Sequence, residues 1–166
     1  MTPTSRTHQT EPWGRRPAGP FAFEEAIAFA RQHLAAANEP GLEDVPDYVH
    51  LVINDDNVPE DAYASYLWLG ELSGDAEVRW EDRLHDRTGK LPVRIRACVL
   101  ESDEAVVAVI AHELYEIVHL RAAFADSGGM LTAQQVDEHI SCDCPGNLHY
   151  QAVAFGDRLV RTMRGQ

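Results

Sequence analysis

His112, Glu113 and Glu116 fall within a stretch, Val106 to Phe124, that contains no Gly or Pro and whose apolar residues recur at helical spacing. On a helical wheel Val106, Val107, Ile110, Leu114, Ile117 and Val118 gather on one arc, and His112, Glu116 and His119 on another. A repeat of about 3.6 residues sets His112 and Glu116 one turn apart on one face, where an imidazole nitrogen and a carboxylate can grip the same cation. Glu113 lies roughly 100° round the axis, beside such an ion and not on it. His119, seven residues beyond His112 and so about 10.5 Å along the axis, is too distant to share that ion and reads as packing. Two acids and a histidine on an otherwise apolar helix are costly to bury without a cation.

Two ligands from one helix leave room on an ion for a third, and the chain offers candidates downstream. Asn147 can cap a last helix running from Leu148 to about Thr162, on which His149, Ala152 and Gly156 share a stripe. Two small residues on the stripe of His149 would let this helix approach a neighbour closely. His139, on a shorter helix opened by the capping box Thr132-x-x-Gln135, is the rival ligand. Cys142 and Cys144 form a C-x-C with no second cysteine pair, and the Pro-Gly that follows reads as a structural loop. Glu116-x-x-His119 matches half of a di-iron carboxylate pattern, but no second ExxH occurs. No Ser or Cys nucleophile motif is present.

The elements that must position these residues are read as follows. Residues 1–20 hold Pro3, Pro12, Pro17 and Pro20 with Gly14 and Gly19, a composition that buries little and predicts a disordered tail, with Trp13 its one candidate anchor. Residues 21–166 form a single domain. Phe23, Ile27, Ala30 and Leu34 predict a first amphipathic helix ended by Asn38 and Pro40-Gly41. Tyr48–Asn54 predicts a strand, and the aromatics of Ala62–Leu72 favour a second. Ala76–Leu84 and Leu91–Leu100, flanking a polar turn, predict a hairpin. Ser102 with Asp103 and Glu104 then supplies a cap and two acids for the start of the motif helix. The order predicts an α+β fold: a small, mostly antiparallel sheet with an N-terminal helix, a metal-motif helix and C-terminal helices.

A formal charge of −13 without a basic patch argues against a nucleic-acid partner. No run approaches the ~18 apolar residues needed to span a bilayer, and the polar first residues have no secretory core, so no membrane association is expected. Cys98, Cys142 and Cys144 are too few and odd in number for a disulfide framework, which fits a reducing cytoplasm.

This order of elements, with His112-Glu113-x-x-Glu116 and the later His149-Tyr-Gln-Ala152-Val-Ala-Phe155-Gly156-Asp-Arg-Leu159, resembles a minimal zincin, the compact core of the zinc metallopeptidases. The resemblance covers about residues 93–160. It departs from the family's HExxH in carrying Glu at the position of the second His, and His149 where small gluzincin-like members carry a ligating Glu. The two exchanges together keep two histidines and one carboxylate. The resemblance implies one Zn2+ per chain on His112, Glu116 and His149, with Glu113 as general base in hydrolysis of a peptide or protein substrate. Tyr150 or His139 would then serve as a second donor to the oxyanion. The alternative is a zincin-like interaction module with a vestigial or structural metal site.

Overall fold

The computed structural model describes residues 4–5, 13–66, 69–84, 87–140 and 147–166. They form an α+β domain built around one long helix, α3 (Asp103–Asp126). Most of α3 is buried on more than one side, as expected of a helix apolar over most of its circumference. Ser102 caps it, its hydroxyl accepting the Ala105 N–H at 3.1 Å, and Asp103 and Glu104 occupy the first turn.

Three layers surround this helix. α1 (Phe23–Ala36) packs on one side through Ala26, Ile27, Ala30 and Leu34. α5 (Leu148–Met163) packs on another through Ala152, Phe155, Gly156 and Leu159. A Cβ on Gly156 would stand 2.9 Å from the backbone oxygen of Ala108, so α5 sits where only glycine lets the two backbones meet. The short α4 (Ala133–Ile140) precedes α5, and its capping box forms in both directions: Gln135 N–H to Thr132 Oγ1 at 3.1 Å, Thr132 N–H to Gln135 Oε1 at 2.8 Å. A single helical turn, α2 (Val45–Tyr48), leads into the sheet.

The main sheet contains β1 (Thr4–Ser5), β2 (Val49–Ile53), β3 (Ala64–Ser65) and β5 (Leu91–Ile95) in the order β1-β3-β5-β2. β4 (Glu77–Arg79) and β6 (Met130–Thr132) form a separate pair. Three of the four pairings among the described residues are antiparallel, but the longest, β2 with β5 from Val49↔Leu91 to Ile53↔Ile95, is parallel.

The expected hairpin does not form. Both edges of β5 are taken, by β2 and by β3, so β4 pairs with β6, a strand the sequence reading missed. The strand expected to run to Leu100 stops at Ile95 and gives way to a 3-10 turn, Ala97–Glu101. At the stop, the Arg96 guanidinium donates to the carbonyls of Ala62, Val58 and Pro59, each at 2.7 Å. In the second expected strand only Ala64 and Ser65 are extended, and Trp68 lies outside the described residues.

The boundary drawn at Phe21 also differs from where the chain joins the body. Thr4–Ser5 pair with β3, and residues 13–20 lie against the domain. Trp13 stacks on Tyr63 with ring centroids 5.0 Å apart, the Arg16 N–H donates to the Glu101 carbonyl at 2.8 Å, and Arg16 Nη1 meets Asp103 Oδ1 at 2.5 Å. Trp13 is the anchor expected of this segment, while composition alone undervalued Arg16.

Candidate metal centre

α3 carries His112, Glu113 and Glu116 into the interior, where the first two are fully buried and the third is 2% exposed. α5 carries His149 to the same place. Its N-terminus is fixed by Asn147, whose side-chain oxygen accepts the His149 N–H at 2.7 Å and whose amide donates to the Glu138 carbonyl at 3.2 Å. The contact of Gly156 with Ala108, two turns along α5, sets how closely His149 approaches α3.

His112, Glu116 and His149 each offer a ligand atom, and these atoms lie within 4.8 Å of one another. Glu116 Oε2 is 3.3 Å from His112 Nε2 and 3.8 Å from His149 Nδ1, and the two imidazoles stand edge to face with centroids 5.0 Å apart. Neither ring nitrogen of His112, nor Oε2 of Glu116, has a well-aligned hydrogen-bond partner among the described residues. Buried polar atoms are almost always satisfied, so such a convergence needs an explanation. The group could hold a metal ion.

Electrostatics distinguish the two oxygens' surroundings from those of an ordinary surface acid. Burial pushes the Glu116 carboxyl up, but contacts with His112 and His149, the charge on His112 and a hydrogen bond from Tyr66 outweigh it and bring the pKa down to about 2. Tyr66, itself fully buried, donates its hydroxyl to Glu116 Oε1. Burial, then the charges of Glu116 and Glu113, hold the Tyr66 hydroxyl well above the usual phenol range, so it stays a donor. Glu113 therefore lies close enough for its charge to act on the same tyrosine.

Tyr66 is the residue that sequence reasoning missed. It lies 50 residues before Glu116, just past a two-residue strand, and no motif connects the two. The tyrosine singled out from sequence, Tyr150, is 44% exposed on α5 with its ring 5.9 Å from that of His149. His139 is half-buried on α4 and is not part of the three-residue group. His119 faces away: its Nε2 is 3.1 Å from Glu39 Oε1 and its ring packs on Tyr115. Cys142 and Cys144 lie outside the described residues, and Cys98 is an exposed free thiol.

Among the described residues, cavities also open away from this group. One, about 850 Å³, runs between α1 and β2, reaching Ile110 and Leu114 on the face of α3 opposite His112; another is lined in part by Tyr48, Trp80 and Arg121. No helix among the described residues is long and apolar enough to cross a membrane. Comparison of the chain with protein-family models, with curated proteins and with solved structures finds no match.

Proposed function

We propose that the chain is a zinc-dependent peptidase of the minimal-zincin type, with His112, Glu116 and His149 as the protein ligands. The observation that carries the reading is the convergence of two imidazoles and one carboxylate, from two helices, on a buried point where both ring nitrogens of His112 and Oε2 of Glu116 have no well-aligned hydrogen-bond partner among the described residues. Donors on one tetrahedral zinc stand about 3.3 Å apart, given bonds of about 2.0–2.1 Å. The 3.3 and 3.8 Å separations around Glu116 Oε2 lie near that, and all three ligand atoms lie within 4.8 Å of one another. Two neutral nitrogens and one carboxylate are also the donor set of an open catalytic zinc site.

When bound, zinc would supply a Lewis acid able to activate water and polarise a carbonyl. The chain supplies the rest. Glu113, one residue from the first ligand and about 100° round the helix from it, takes the proton of the attacking water and returns it to the leaving amine. Tyr150, exposed beside His149, is the hydroxyl available to a substrate's developing oxyanion. The substrate is a peptide or protein.

The complete burial of Glu113 favours a second reading, in which an ion pins α3 to α5 and the domain works through protein contacts. Glu113→Gln separates the two. As a peptidase, the variant keeps its metal and fold and loses hydrolysis of a mixed peptide library; a wild-type protein that is metal-loaded yet inert on that library supports the structural ion.

A further inference from the structure

We infer that Tyr66 is a positioning residue for the metal centre: by holding Oε1 of Glu116 it presents only Oε2 to the ion. The inference rests on reading His112, Glu116 and His149 as a metal centre, and does not depend on peptidase chemistry.

The two oxygens of Glu116 have different surroundings. Oε1 accepts the Tyr66 hydroxyl, while Oε2 faces His112 Nε2 at 3.3 Å and His149 Nδ1 at 3.8 Å. A carboxylate binds a cation through one oxygen or through both, and the last torsion of a glutamate is broad and only two-fold. Left alone, Glu116 could turn either or both oxygens to the ion. The hydroxyl of Tyr66 removes that choice.

Tyr66 is itself fixed by the sheet. It follows β3, whose residues register with β5 as Ala64↔Ile95 and Ser65↔Arg94, and the Ser65 hydroxyl donates to the Asn57 carbonyl at 2.9 Å. The ring is fully buried, so it has no room to swing away. Thus the sheet holds the donor and α3 holds the acceptor. One-oxygen ligation suits a small ion with four ligands, whereas two-oxygen ligation raises the coordination number and suits larger ions. By holding back one oxygen of Glu116, Tyr66 would therefore favour a small ion bound through the other.

The test titrates Zn2+ into metal-free wild type and Tyr66→Phe, and records visible absorption of the Co2+-loaded proteins, whose bands weaken as coordination rises from four to five. We expect Tyr66→Phe to bind Zn2+ about 10- to 100-fold more weakly and to show weaker Co2+ bands per bound ion. Unchanged affinity and unchanged bands would overturn the inference while leaving the metal centre standing. No binding of either ion by wild type would overturn the centre itself. A Glu116→His background supplies the second comparison, since no carboxylate oxygen is left stranded there if Tyr66→Phe alone does not fold. Adding Tyr66→Phe in that background should alter Zn2+ affinity by less than about twofold, as expected when the coupled partner is gone. A tenfold loss there would show that Tyr66 acts by packing and overturn its positioning role.

Discussion

Glu113 and Glu116 sit three residues apart on one helix and are assigned different work by their neighbours. Glu116 contacts both histidines and accepts from Tyr66, and is held ionised to about pH 2 by those partners against the cost of burial. Glu113 is buried without belonging to the ligand group. In the peptidase reading, Glu113→Gln lowers kcat by about 10²- to 10⁴-fold with metal content unchanged, which steady-state kinetics beside metal analysis would check; undiminished turnover would remove Glu113 from the mechanism. Tyr150→Phe is expected to cut kcat by about 10²-fold with no change in Zn2+ affinity, because its hydroxyl is not among the ligand atoms. At this scale the sequence was informative where the signal was local. The i, i+4 spacing placed His112 and Glu116, and Asn147 with the small stripe of Ala152 and Gly156 placed His149. Tyr66 was invisible because its meaning depends on a contact made across the fold.

The helix pair α3 and α5 is the element on which the site depends, and at Gly156 the two backbones approach closely. A methyl there would meet the Ala108 backbone oxygen at 2.9 Å, and a backbone carbonyl cannot rotate aside as a side chain can. Gly156→Ala is expected to destabilise the domain by about 1–3 kcal/mol and to weaken Zn2+ binding, since α5 carries His149. Urea unfolding with a parallel Zn2+ titration measures both effects, and a variant as stable as wild type would mean that the helices are not in such contact. The helices themselves were legible from caps and periodicity. The strands were less so: β4 reads as half of a hairpin until β5 is seen to have both edges occupied, and β6 is only three residues long. Short strands carry little pattern, and pairing is a non-local choice.

Across the whole molecule, the segment leading into α1 and the end of α5 meet at the start of α3. Glu104 accepts the Gly14 N–H at 2.6 Å and is paired with the Arg164 guanidinium, Nη2 to Oε1 at 3.0 Å. The Arg164 hydrogen bond chiefly, opposed by burial and helped by the Gly14 N–H and the arginine's charge, holds the Glu104 carboxyl below the usual range. A carboxyl lowered by folding adds stability that is fully present above its unfolded pKa and is lost as pH falls through its folded one. Glu104→Gln should therefore be less stable than wild type near neutral pH, by about 1–3 kcal/mol for a charge-assisted hydrogen bond, with the gap closing at acid pH. Thermal melts of both proteins across that range test this; a gap that is constant with pH would deny the ion pair its role. The segment before Phe21 was underestimated from composition because Pro and Gly content describes what a segment cannot bury, not which of its few side chains find partners.

A metal centre on His112, Glu116 and His149 stands or falls on metal content. Wild type, Glu116→Ala, His149→Ala and His139→Ala would be purified without added metal and measured by mass spectrometry. About one zinc per chain is expected in wild type and His139→Ala, with zinc lost in Glu116→Ala and His149→Ala. A wild-type protein that holds no metal even after zinc is supplied, or a His149→Ala variant that keeps its zinc, would contradict that centre.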